Sequence, residues 1–144
     1  MKYSEFLKNT KECHFCILVD NQEILQNKNA FLTYALAPYH KDHLLVIPKR
    51  HTENILEVTD EEIKDVYDLQ KTGLRILQKL GYSNISLIVR EGDLTGKSVS
   101  HLHYHLIPNV HIGDVDHAGM ERTILTEEEI ASTISRIKSA IENH

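Results

Sequence analysis

Apolar positions recur with two different periods along this chain, and the switches between them mark its elements. Leu44-Leu45-Val46-Ile47 is an unbroken aliphatic run stopped by Pro48, the pattern of a strand buried on both faces. Ile17–Val19 and Ile24–Gln26 read as two short strands around Asp20-Asn21, and Ala30–Leu36 and Ile85–Val89 also have strand composition. Residues 3–9 suit a short amphipathic helix. Thr59-x-x-Glu62 is a capping-box pattern. It opens a long helix in which Ile63, Val66, Tyr67, Gln70, Leu74 and Leu77 fall on one stripe, expected to be core. Gly81 suits the left-handed position just past its end. Thr126-x-x-Glu129 repeats the box before a final helix, with Ile130, Ile134, Ile137 and Ile141 as its expected buried stripe. Strands on either side of one long helix point to an α+β class with a mainly antiparallel sheet. No repeat or Pro/Gly/Ser linker interrupts the chain, so residues 1–144 read as a single domain.

Bulk properties narrow the function only a little. The 144 residues are 41% hydrophobic and can bury a core. A formal charge of −5 with no basic stripe argues against binding a nucleic-acid backbone. No apolar run approaches the ~20 residues of a membrane helix. The start, MKYSEFLKNTKEC, lacks a signal peptide's apolar core, so a cytoplasmic protein is expected.

The chemistry gathers in two places. Both cysteines of the chain lie in Cys13-His14-Phe15-Cys16, a spacing that in a cytosolic protein suggests metal binding or redox work rather than a structural disulfide. The second place is GKSVSHLHYHLIP, residues 96–108, with His101, His103 and His105 alternating with Leu102, Tyr104 and Leu106. On a strand these imidazoles share one face at steps of roughly 6.5–7 Å, and the apolar residues cover the other. Three in a straight row do not converge readily on one ion, so a metal would take one of them together with ligands from elsewhere. Covalent catalysis on phosphorus is the second reading. A neutral imidazole is a competent nucleophile, its neighbours can carry protons, and Gly96, Ser98 and the nearby amides can cradle anionic oxygens.

At this point a resemblance becomes specific. His101-Leu-His-Tyr-His-Leu-Ile107 resembles the signature of the histidine triad (HIT) family, His-φ-His-φ-His-φ-φ with φ apolar. His43-Leu-Leu-Val-Ile-Pro-Lys-Arg-His51 resembles a second strand of that family, and Cys13-x-x-Cys16 followed by Ile17 resembles the start of its zinc-bearing bacterial members. The similarity spans roughly residues 12–108. It implies a HIT-like fold with about five strands, one long central helix and a C-terminal helix. It also implies a homodimer and a nucleotide-sized substrate.

Carried over residue by residue, the resemblance implies that His103 is the nucleophile at the α-phosphorus, supported by His105, His43 and Ser98. Phe15, Ile17, Gly96, Lys97, Ser98 and Arg90 take substrate-binding positions. Cys13, Cys16, His51 and His101 become the ligands of a structural zinc, a closed Cys₂His₂ set, and His14 becomes a bystander to it. Three positions depart from the family pattern: Ala35 stands where an acid often holds the ribose, Arg90 replaces a phosphate-binding asparagine, and Lys97 replaces a glutamine. The implied activity is hydrolysis of nucleoside phosphoramidates or dinucleoside polyphosphates. A nucleotide-binding regulatory module with little turnover is the competing reading, and metal-dependent hydrolysis by the histidine row is a third.

Overall fold

The computed structural model describes residues 2–9, 12–16, 23–92, 100–109 and 123–142. They form two compact units, residues 1–111 and 112–144. The first carries a short helix α1 (Tyr3–Asn9), strands β1 (Glu23–Gln26), β2 (Ala30–Tyr34) and β3 (Leu44–Pro48), helix α2 (Asp60–Lys79), and strands β4 (Ile85–Val89) and β5 (Tyr104–Pro108). The second carries helix α3 (Glu127–Glu142). The five strands make one sheet in the order β1-β2-β3-β5-β4, every neighbouring pair antiparallel. The expected strand at Ile17–Val19 lies outside the described residues.

Alternation of side chains sorts the sheet into two faces. Ala30, Leu32, Leu44, Val46, Tyr104 and Leu106 join Val66, Leu69 and Leu77 of α2 in one core. The intervening residues Phe31, Leu45 and Ile47 join Phe15 and Ala35 on the opposite face. The aliphatic run of β3 therefore contributes to both cores, as its unbroken pattern requires. Leu45 pairs with His105 across the β3–β5 ladder, so the alternate histidines share the face that α2 leaves open.

Helix α2 begins with both bonds of a capping box. The Thr59 hydroxyl accepts from the Glu62 amide, and Glu62 accepts from the Thr59 amide. Glu62 also takes a forked pair of bonds from Arg50, which hold its carboxyl down at about 2. At the other end Gly81 adopts φ +100°, and the amides of Gly81 and Tyr82 close back onto Gln78 and Leu77. That is the Schellman closure, for which glycine has no steric penalty.

The buried stripe of α2 is rotated from the expected one. It runs through Glu62, Val66, Leu69, Gly73 and Leu77, whereas Ile63 and Tyr67 are exposed. Gly73 explains the rotation. A Cβ there would lie 2.8 Å from Leu106 Cδ2 and 3.1 Å from Leu32 Cδ1, so the helix meets the sheet at its side-chain-free position. In the second unit, Ile130, Ile134, Ile137 and Ile141 of α3 are exposed instead of forming a buried stripe. The periodicity is present, but no other described element of that unit is there to cover it.

Candidate active site and metal site

The histidine segment is shorter as a strand than expected, and the face that carries its imidazoles is buried. Strand pairing begins only at Tyr104, and His101, His103 and His105 are 0%, 7% and 7% exposed. Phe15 packs edge-on against the rings of His101 and His103, and His43 and His103 pack against His105, which covers the row. Buried imidazoles need hydrogen-bond partners, and each partner fixes which nitrogen carries the proton.

His103 Nδ1 lies 2.9 Å from the backbone oxygen of His101. A carbonyl only accepts, so Nδ1 holds the proton and the basic lone pair sits on Nε2. His43 and His105 form a second, linked arrangement. The Tyr39 amide donates to His43 Nδ1 at 3.2 Å, which leaves the His43 proton on Nε2. That nitrogen is 2.9 Å from His105 Nδ1 and donates to it, so His105 carries its own proton on Nε2. Both rings are neutral. Burial, followed by the nearby His103 and Arg90, pushes His43 down to about 4. Burial, followed by His103, His43 and Arg90, pushes His105 to about 3. The outcome is a row with distinct chemistry at each ring: a lone pair on His103 Nε2 and a proton on His105 Nε2, the rings 4.8 Å apart.

These three histidines line an open cleft with Phe15, Leu45, Arg90 and the segment from Thr33 to Tyr39. Tyr39 stacks on His43 at 5.8 Å between ring centres, and the Tyr82 hydroxyl donates to the Asp42 carboxylate next door. The turn that supplies His43 is thereby tied to the chain just past α2.

On the far side of Phe15 the four remaining candidates converge. The donor atoms of Cys13, Cys16, His51 and His101 all lie within 4.8 Å of one another. His101 Nε2 donates to the Pro48 carbonyl at 2.7 Å, so its Nδ1 lone pair faces Cys13 Sγ at 3.5 Å and Cys16 Sγ at 3.4 Å. His51 Nδ1 lies 3.2 Å from Cys16 Sγ, with its Nε2 3.4 Å from a Glu53 carboxylate oxygen. Sulfur–nitrogen edges of about 3.5 Å are those of a tetrahedron with metal–sulfur and metal–nitrogen bonds of about 2.3 and 2.0–2.1 Å. Carbonyl and carboxylate partners on the outer nitrogens are the usual means of orienting imidazole ligands. The donor set fits a metal ion.

A sequence-family model described as "HIT domain" matches residues 18–112. The chain belongs to the HIT family. An uncharacterised 16.1 kDa HIT-like protein of Mycoplasma pneumoniae is 33% identical over 106 residues, covering 70% of this chain and 74% of that one. The adenosine 5'-monophosphoramidase of Schizosaccharomyces pombe is 29% identical over 100 residues, 67% of this chain and 73% of its own. A solved HIT-family structure from Bacillus subtilis superimposes with a TM-score of 0.69 at 25% identity, covering 90% of this chain and 96% of that one. The five-stranded antiparallel sheet with its helices is the HIT fold.

Within this HIT chain, the candidates fall into three groups. His43, His103, His105, Phe15 and Arg90 meet at the cleft. Cys13, Cys16, His51 and His101 meet at the metal site. Ile17, Gly96, Lys97 and Ser98 lie outside the described residues. Sequence reasoning missed the part played by Tyr39, whose amide sets the His43 tautomer, and by Pro48 and Glu53, which orient the two histidines of the metal set. Two of these act through backbone atoms, which leave no mark on residue identity. His14, expected as a bystander to the metal, is absent from the metal set and instead lies against Phe15 and lines the cleft.

Proposed function

We propose that this chain hydrolyses nucleotide derivatives at phosphorus through a covalent intermediate on His103. The carrying observation is the tautomer pattern: the carbonyl bond at Nδ1 makes Nε2 of His103 the nucleophilic atom, within a cleft that also holds a proton-bearing neighbour. Attack by Nε2 on the α-phosphorus forms a P–N bond as the leaving group departs. His105 Nε2–H donates to a phosphoryl oxygen, and His43 holds His105 in that tautomer. Water then displaces the imidazole, a better leaving group from phosphorus than an alkoxide, and one hard step becomes two easier ones. The relative named as an adenosine monophosphoramidase supports a nucleotide substrate. Ser98, Gly96 and Lys97 are assigned to cradle the phosphate, and Phe15 and Ile17 to pack against the nucleoside.

The metal is proposed to be zinc, which the two thiolates and two imidazoles suit. Its chemistry when bound is structural, since four protein donors leave no position for substrate. Free thiols as ligands fit a reducing, cytoplasmic compartment. We further propose that residues 1–144 act as one HIT domain in a homodimer. The edge strand β4, with Leu87 and Val89 exposed, and the exposed Ile63 and Tyr67 of α2 offer surface for a second copy.

The test is a panel of nucleoside phosphoramidates and dinucleoside polyphosphates with wild-type protein and His103→Ala. Loss of at least about 10³-fold in kcat, with metal content unchanged, is expected for a missing nucleophile. Ala35 in the cleft wall favours the competing reading, a nucleotide-binding module, because it offers no acceptor to a ribose. Nucleotide binding by wild-type protein without turnover of any panel member would establish that reading instead.

A further inference from the structure

We propose that Arg90 is the specificity-determining residue of the cleft: its guanidinium holds a phosphate beyond the one under attack, so the preferred substrate is one whose leaving group is itself a phosphate. The inference rests on the phosphorus-centred reading above and deepens it.

The β4–β5 ladder pairs Val89 with Tyr104, which sets Arg90 beside the chain that carries His103 and His105. Its side chain is half-buried and lines the same cleft. Arg50, Lys28, Lys64 and Lys71 have carboxylate partners in Glu62, Glu61 and Asp68, and Lys41, Lys49, Arg75 and Lys79, which have none among the described residues, are exposed to water. Among the described residues no such ion pair holds Arg90, and none of the described residues lining the cleft carries a carboxylate. A partly desolvated guanidinium without a counter-charge is stabilised by an anion, and its planar fork matches phosphate oxygens. Arg90 is also close enough for its charge to help depress His43 and His105. Those two rings are neutral near pH 7 and supply hydrogen bonds rather than charge, so among the described residues lining the cleft Arg90 provides the fixed cation.

The chemistry of departure makes the position selective. As His103 Nε2 bonds to the α-phosphorus, the bond to the bridging oxygen breaks, and its electron pair leaves with that oxygen onto the outer phosphate. Negative charge grows there, and a fixed cation stabilises it. Water then bonds to the α-phosphorus, the P–N pair returns to Nε2, and the water's proton passes to solvent. One water is consumed, giving a nucleoside monophosphate and the released phosphate-bearing fragment. An amine leaving group needs a proton instead, which a guanidinium does not donate readily.

The experiment compares kcat/KM for diadenosine triphosphate and adenosine 5'-phosphoramidate in wild type, Arg90→Asn and Arg90→Lys, with thermal melts to show that the variants fold. The polyphosphate-to-phosphoramidate ratio is expected to fall about 10- to 100-fold in Arg90→Asn, and most of it to return in Arg90→Lys. A ratio in Arg90→Asn within about threefold of wild type overturns the assignment, whatever the separate rates do. If wild type turns over neither substrate, the hydrolase reading fails, and the Arg90 assignment is read from binding of ADP against AMP. Arg90→Asn must then lose the preference for ADP by a similar factor, and an unchanged preference overturns it.

Discussion

At the scale of single residues, backbone atoms assign the chemistry. Three histidines in alternate positions are equivalent in composition, yet a carbonyl at His103 holds its proton on Nδ1, whereas a second carbonyl at His101 and an imidazole at His105 leave those two protons on Nε2. The neutral His43–His105 pair has a consequence for stability. Both groups have folded values below the ordinary histidine value near 6.5, so an unfolded chain takes up protons first as pH falls. The stabilisation is fully present above about pH 6.5 and is lost as pH drops toward 4 and 3. His103, His40 and Arg90 oppose protonation alongside burial. Urea denaturation at pH 7 and pH 5 is expected to show lower stability at pH 5, with a smaller drop in His105→Gln. Stability that is flat across this range, or a drop unchanged in that variant, contradicts the neutral pair.

At the scale of elements, the strength of a local signal decides how much was legible beforehand. The capping box, the glycine after α2 and the two-faced strand β3 were all readable, because each depends on neighbours in sequence. The rotation of α2 was not. Apolar periodicity marks Ile63 and Tyr67 as candidates for the core, but the contact surface is chosen by the close approach at Gly73, which depends on Leu32 and Leu106 of distant strands. Gly73→Val is accordingly expected to destabilise the domain by about 1–3 kcal/mol through overpacking against those two leucines. Chemical denaturation measures it, and a neutral result would mean that the helix can lift from the sheet at little cost. The isoleucines of α3 carry the same lesson, since an amphipathic pattern identifies a helix without identifying its partner.

At the scale of the whole molecule, Phe15 divides one histidine row between two purposes. Its ring packs against His101 on the metal side and His103 on the cleft side. The four metal donors come from the N-terminal turn, the segment after β3 and the segment before β5, so a bound ion would fasten Phe15 in place over the sheet. Spacing in the sequence showed the Cys13–Cys16 pair and the three same-face histidines, and the family resemblance carried by those motifs implied the remaining members of both clusters. The burial of the row was not legible there, because it depends on how the N-terminal turn folds back onto the sheet. The central claim, a covalent intermediate on His103, is tested most directly by the stereochemical course of hydrolysis at a chiral, sulfur-substituted α-phosphorus in isotopically labelled water. Two successive displacements predict net retention of configuration at that phosphorus, whereas net inversion would show a single direct attack by water and contradict the account.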